Sequence, residues 1–211
     1  MALRRIGAVG GMAVALALAM AVSRPALGNP AGARKAGSLA GQLLVAKPAM
    51  TDPQFSRTVV YMVRHDATGA FGLVVNRPFK EISIESLLRR LELDHEGVSG
   101  SLRMHYGGPV QPGSVFVLHT ADYRGEGTEV VANGIALTRS PDILRAIGTG
   151  AGPRQALLVL SYSGWAAGQL EREFKAGGWV AVPADVALVF DADCDTKWDR
   201  AMAKAAREFD L

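Results

Sequence analysis

Asn133-Gly134 stands between two short β-prone runs, residues 129–131 and 135–138. A two-residue connection of this kind makes a type I′ hairpin, because Asn and Gly both accept φ > 0 and the turn's twist matches that of the strands it joins. The middle of the chain is thereby committed to antiparallel pairing. Residues 58–63 (TVVYMV) and 71–75 (FGLVV) are β-branched and aromatic, and the turn-forming residues 66–69 between them predict a second hairpin. Residues 42–46, 115–118, 179–182 and 186–190 read as further short strands. Pro112-Gly113 makes a turn before the second of these, and Pro183-Ala184-Asp185 separates the last two. Residues 156–160 (ALLVL) are apolar throughout, as in a central strand covered on both faces.

The helical signals are fewer. Ser83 caps a segment reaching about Leu93, with Ile84, Leu87, Leu88 and Leu91 on one face. Ser140-Pro141-Asp142 supplies N-cap, N1 and N2 of another helix, which Gly148 ends. A third helix runs over residues 166–175. A fourth follows an Asp195 cap, with Trp198, Met202, Ala205 and Phe209 as its apolar face. Eight or nine short strands with four or five helices in irregular order predict an α+β fold rather than a doubly wound sheet.

The first 28 residues read as a signal peptide. Arg4 and Arg5 precede an uncharged run over residues 6–22, and Ala26-x-Gly28 offers small residues for cleavage. Seventeen residues are the short limit for spanning a hydrocarbon core of ~30 Å, so no permanent membrane span is expected in the mature chain. Residues 29–40 are small, polar and Pro/Gly-containing, the composition of a flexible linker, and residues 41–211 form the folded domain. Export to the periplasm is the expectation; a true start nearer Leu39 is the alternative, and would leave the domain in the cytoplasm. The positive charge is also concentrated in the leader. Three of the 23 Lys and Arg lie there, leaving 20 against 20 Asp and Glu. A neutral domain makes nucleic acid an unlikely partner.

Six blocks in fixed order resemble the YqgE/AlgH family. They are GQLLVAKPAMTDPQFSRTVVY at residues 41–61, His65 with GAFGLVVNRP at 69–78, GGPV at 107–110, FVLHT at 116–120, residues 164–185 from Gly164-Trp165 to Pro183-Ala184-Asp185, and KWDRA at 197–201. The resemblance covers residues 41–211. It implies a single mixed α/β domain with a bulged, mostly antiparallel sheet flanked by short helices. It implies no established enzymatic activity and a regulatory association with alginate production. Members are usually cytoplasmic and lack a leader, so this chain departs from them there. It departs again at Ser161-Tyr162-Ser163, expected as a tight turn, where members carry a Gly-Tyr-Ala-like segment.

Residues able to do chemistry are scattered. His65, His95, His105 and His119 have no metal-ligand spacing, and no metal or cofactor is expected. His65 and His119 each end a strand. Were those ends to converge, they would share a cleft with Asp66 and Asn76, and His65, Asp66 and His119 are the catalytic candidates of a small-molecule, hydrolase-like enzyme. Ser161 and Ser163 lack the G-x-S-x-G frame of a nucleophile elbow. In the block from Gly164 to Glu171, Gln169 and Glu171 face a pocket while Trp165 and Leu170 pack inward. Arg77, with Arg57, Arg64 and Lys47, could face an anion. The binding candidates are therefore Asn76, Arg77, Trp165, Gln169 and Glu171. Asp191-x-Asp193-x-Asp195 lacks the Gly and Glu of a calcium loop. Cys194, the lone cysteine, sits between those aspartates, which disfavour its thiolate. A non-enzymatic binding, accessory or regulatory protein, with an unknown protein or small molecule as partner, is the leading expectation. An enzyme with a His/Asp cleft is the first alternative, and a transcriptional regulator the second if the domain is cytoplasmic.

Overall fold

The computed structural model describes residues 37–209, so the leader and most of the linker lie outside the described residues. The elements run β1 (Gln42–Ala46), β2 (Val59–Asp66), β3 (Gly69–Val74), β4 (Pro78–Ser83), α1 (Ile84–Arg90), β5 (Ser101–Tyr106), β6 (Val110–Thr120), β7 (Thr128–Ala132), β8 (Ile135–Thr138), α2 (Asp142–Gly148), β9 (Ala156–Ala166), α3 (Gln169–Lys175), β10 (Trp179–Pro183), α4 (Val186–Phe190) and α5 (Lys197–Phe209). The strands pair in the order β10-β1-β2-β3-β9-β6-β8-β7, with β5 also on β9 and β4 on β5. All these pairings are antiparallel except β5 with β9. This is the mixed, mostly antiparallel α+β architecture that the pattern predicts.

The apolar runs are continuous because both faces of the sheet are covered. Leu43 and Val45 of β1, with Val59, Tyr61 and Val63 of β2, point to one face and join Leu188, Trp198, Ala201 and Ala205 of α4 and α5. Their neighbours Leu44, Ala46, Val60 and Met62 point to the other, against Leu170 of α3, Trp165 and Trp179. Ile84, Leu87 and Leu88 of α1 and Ile143 and Leu144 of α2 cover β5, β6 and β9. Each such fully buried aliphatic side chain contributes roughly 1.5–3 kcal/mol.

Strand β9 organises the site region because it is shared by two sets of neighbours. Leu158–Leu160 pairs with β5, whereas Ser163 to Ala166 pair with β3. At the fork Ser161 takes φ 57°, a left-handed conformation that costs a residue with a Cβ about 1–2 kcal/mol. Gly107-Gly108 crosses here, and only glycine fits. A Cβ on Gly107 would lie 2.4 Å from the Ser161 carbonyl oxygen, and one on Gly108 2.4 Å from Ser163 Oγ. Ser161-Tyr162-Ser163 is thus a kink within a strand rather than the expected turn.

Other expectations shift for local reasons. Residues 186–190 form a helix, not a strand, because the Asp185 carboxylate accepts from the Leu188 N–H and caps it. Residues 112–113 fall inside β6, at a break in its register between Val110 and Val115. Helix α3 begins at Gln169 rather than Ala166, after Gly168 in the left-handed region. Ahead of α5 it is Asp193, not Asp195, whose carboxylate accepts from the Thr196 N–H. Strands β4 and β5 had no counterpart among the expected elements.

Candidate functional site

Strand β2 and helix α3 frame a cleft of about 300 Å³ lined by Gly37, Leu39, His65, Leu170, Glu171, Phe174 and Lys175. Its polar centre is His65, carried on the last turn-ward residues of β2, where pairing with Ala70 of β3 fixes it. The preceding segment is pinned over it: Ser38 Oγ donates to the His65 carbonyl at 2.9 Å, and the Leu39 N–H donates to His65 Nδ1 at 3.2 Å. An N–H can only donate, so Nδ1 is the acceptor and the neutral ring carries its proton on Nε2. That nitrogen lies 3.0 Å from Glu171 Oε1. The His65 side chain is only 9% exposed and that of Glu171 51%. The Glu171 carboxyl is held below its ordinary range, by backbone hydrogen bonding first and by His65 second.

One step along α3, Glu173 gathers three donors. Its Oε2 accepts from Trp165 Nε1 at 2.9 Å and Trp179 Nε1 at 2.8 Å, and its Oε1 from Gln169 Nε2 at 2.9 Å. Gln169 Oε1 in turn accepts from the Ala166 N–H at 3.1 Å, closing the turn into α3. Phe55 stacks against both indoles. Trp165 and Gln169 therefore stiffen the wall behind the cleft instead of facing a ligand. Glu173 shows no motif in the sequence; its spacing of four residues from Gln169 was the available signal.

The other candidates lie elsewhere. His65 and His119 do not converge. His65 is in register with Ala70 and, through it, with Trp165 at one end of β9, whereas His119 pairs with Ala156 at the other end. Nine residue steps along β9, from Ala156 to Trp165, separate those rows, on the order of 30 Å if unbent. His119 is fully buried in a relay. Its Nδ1 donates to the Thr120 carbonyl at 2.8 Å, and its Nε2 accepts from Thr138 Oγ1 at 2.8 Å. Thr138 then accepts from Thr128 at 2.7 Å. Burial lowers the His119 pKa and keeps the ring neutral. Asp66 closes the β2–β3 turn, accepting from the Thr68 N–H and hydroxyl, which hold its carboxyl below its ordinary range. Asn76 joins strands: its Oδ1 accepts from the Val59 N–H and its Nδ2 donates to the Arg57 carbonyl. Arg77 spends its guanidinium on the carbonyls of Pro53, Gln54 and Ser56. Arg57 pairs with Asp199 over the Trp198 ring, and Arg64 with Asp66, so no shared anion patch forms from the three.

A second, wider trough lies beside α1, lined by Glu85, Arg89, Glu92, Leu93, Asp94, His95, Glu96, Gly97 and Val98. It contains none of the candidates, and two of its acids are paired, Glu85 with Arg89 and Asp94 with Arg145. Among the described residues no helix is long and apolar enough to cross a membrane.

Comparison with known proteins places this geometry in a family. The AlgH-like family model matches residues 43–210. A UPF0301 protein of Rhodospirillum rubrum is 45% identical over 168 residues, covering 80% of this chain and 88% of its own. One of Methylobacterium sp. strain 4-46 is 43% identical over 181 residues, covering 82% and 86%. The solution structure of AlgH from Pseudomonas aeruginosa aligns with a TM-score of 0.67 at 35% identity, over 82% of this chain and 92% of that one. A Corynebacterium diphtheriae protein, DIP2367, shares the fold at TM-score 0.63 and 21% identity, over 81% and 88%. A match over nearly the whole described domain, together with identities above 40%, means that this chain belongs to the AlgH-like family.

Proposed function

We propose that residues 41–211 act as one non-enzymatic binding domain whose β2–α3 cleft holds a small amphipathic molecule. Leu39, Leu170 and Phe174 would receive its apolar body, and Lys175 at the rim its anionic end. One observation carries the reading: both nitrogens of His65 are engaged, Nδ1 by the Leu39 N–H and Nε2 by Glu171. A general base needs an unused lone pair within reach of a substrate proton. In His65 that pair is spent on the backbone, so the histidine serves as a fixed wall with a polar seam. About 300 Å³ lies at the small end of the range for ligand sites.

Labelled protein titrated with sodium decanoate below its micelle concentration tests this. Saturable amide shifts at Leu39, Leu170, Phe174 and Lys175 are expected, with weaker shifts from decyltrimethylammonium. Shifts spread over the surface without saturation would refute it. Turnover of small esters that disappears in His65→Gln would favour the hydrolase-like reading instead.

The site of action belongs to the same proposal. We place the domain outside the cytoplasm, on the strength of the order of charge, apolar run and small residues in residues 1–28. A periplasmic fraction yielding an N-terminus near Asn29 is the expected result. Full-length protein confined to the cytosol would return the domain to the regulator reading.

A further inference from the structure

The chain enters the domain along the β2–α3 cleft, and His65 fastens it there. Residues 37–40 form a strap ahead of β1. The strap turns into β1 through Leu39 to Gln42, where the Gln42 N–H donates to the Leu39 carbonyl at 3.0 Å and Gly41 takes φ 77°. The Gly41 N–H ties that turn to β2, donating to the Met62 carbonyl at 2.8 Å. Ahead of Gly41, the hydrogen bonds from the strap to the body both end on His65. Ser38 Oγ donates to its carbonyl and the Leu39 N–H to its Nδ1. The Ala40 N–H turns back to Ser38 Oγ within the strap. Leu39 and Phe174 both pack on the core cluster that holds Leu170, Trp165 and Trp179. Gly37 and Leu39 are thereby one wall of the cleft.

The two bonds to His65 answer differently to a proton. The Ser38 bond ends on a backbone carbonyl and does not depend on the state of the ring. The Leu39 bond needs the Nδ1 lone pair. Histidine is the side chain that ordinarily changes charge between pH 5 and 8, and a protonated ring carries an N–H on both nitrogens. Nδ1–H then faces the Leu39 N–H, donor against donor, and that bond is lost. Nε2–H meanwhile makes a charge-assisted bond to Glu171 Oε1, 3.0 Å away.

The groups around the ring leave Glu171 as its one charged partner. On β2, Arg64 and Asp66 pair with each other at 3.0 Å. From α3, Lys175 lines the same cleft and Arg172 acts on the Glu171 carboxylate, while Glu173 is turned to the two indoles. Ala70 of β3, Trp165 of β9 and the strap residues 38–40 carry no charge. Lys175 opposes an added positive charge and Glu171 favours it, and Glu171 is the group in contact.

We propose that His65 is a proton-operated latch on the strap over residues 37–40. With the ring neutral, Nδ1 holds Leu39 and keeps the strap against the cleft. With the ring protonated, His65 releases Leu39, tightens onto Glu171 and loosens that wall of the cleft, with Gly41 as the hinge. The latch stands without a guest in the cleft, so a failed decanoate titration would leave it untouched.

The test uses the full chain, isotopically labelled and without added ligand, between pH 7.5 and 5.5. Ring nitrogen signals report the tautomer and charge of His65, and amide exchange, corrected for its intrinsic pH dependence, reports the latch. At pH 7.5 the ring is expected to carry its proton on Nε2. At pH 5.5 the protection of the Leu39 amide should have fallen about ten-fold relative to the core amide of Val60, the worth of roughly one hydrogen bond. The fall should follow the ring's own titration. His65→Asn places an amide oxygen as many bonds from Cα as Nδ1 and does not titrate, so the pH dependence at Leu39 should vanish in it. A ring protonated on Nδ1 at pH 7.5, a ring that stays neutral to pH 5.5, or steady Leu39 protection while the ring titrates would each overturn the proposal. So would a ten-fold fall that persists in His65→Asn. Should that variant not fold, the wild-type ring and Leu39 signals still decide.

Discussion

The Lys197 ammonium donates to the carbonyl oxygen of Val75, joining the start of α5 to the residue just after β3 across 122 positions of sequence. Its second bond, to the Val189 carbonyl, ties in the end of α4. Burial lowers the lysine's pKa, so holding the charge there is costly. Lys197→Met relieves that cost but leaves two carbonyls without their donor, at about 1–3 kcal/mol each. The net expectation is a loss of about 2 kcal/mol in urea unfolding. A change within about 0.5 kcal/mol would mean that relief and loss cancel.

Acid should weaken the fold through two buried histidines before it reaches the aspartates whose pKa is lowered. Burial, reinforced by Lys197, lowers the His105 pKa to about 4, and burial lowers that of His119. A histidine whose folded pKa is depressed binds its proton more readily when unfolded. Stability is therefore full above pH ~6.5 and declines as pH falls toward 4. For His105 the 2.5-unit gap between 6.5 and about 4 corresponds to about 3 kcal/mol. Carboxylates with lowered pKa, such as Asp122 at about 2, lose their contribution only below that window. Urea melts at pH 7, 5.5 and 4.5 should show the decline, and His105→Gln should flatten it.

The fork in the sheet tolerates no side chain where Gly107-Gly108 crosses β9. Gly108 has φ 146°, and a Cβ there would meet Ser163 Oγ and the Tyr162 backbone at 2.4 Å. Backbone cannot move aside as a flexible side chain can, so Gly108→Ala should cost more than about 3 kcal/mol and reduce soluble yield. Gly97 is the control: its φ is 69° but nothing lies within 4 Å of its Cβ position. Gly97→Ala should therefore cost only the conformational penalty of about 1–2 kcal/mol. Equal losses in the two would refute the steric account.

How much of this was legible beforehand depended on whether the signal was local. Asn133 and Gly134 adopt φ 53° and 75°, as their hairpin chemistry requires, and Ser83 caps α1 by accepting from the Ser86 N–H. Both follow from residues two or three apart. Residues 186–190 could not be read from periodicity, since five apolar residues fit strand or helix alike, and the cap at Asp185 decided it. Strand β4 is exposed along Lys80 and Glu81 and offers no apolar face, and β5 alternates over only two apolar positions, Leu102 and Met104, between Ser101 and Arg103, too short a pattern to mark a strand. The site divides the same way. Glu171 was marked by its block, but its partner His65 is 106 residues away. Cys194 meets His105 across 89 residues, a contact made by tertiary packing that no spacing rule anticipates.

Glu173 offers the sharpest division between packing and hydrogen bonding. Trp165 and Trp179, 6% and 2% exposed, stack edge to face with ring centroids 6.1 Å apart, an arrangement that needs no carboxylate. Both indole N–H groups nevertheless point to Glu173 Oε2, and Gln169 donates to Oε1. Glu173→Ala leaves two buried donors unpaired and should cost about 2–4 kcal/mol, with loss of near-ultraviolet dichroism from the indoles. Glu173→Gln keeps one oxygen for the indoles but sets an amide N–H₂ against that of Gln169. Gln169 cannot simply flip, because its own oxygen holds the Ala166 N–H. The glutamine variant should therefore fall between wild type and alanine, at about 1–2 kcal/mol. Wild-type stability in Glu173→Ala would assign this wall of the cleft to aromatic packing alone.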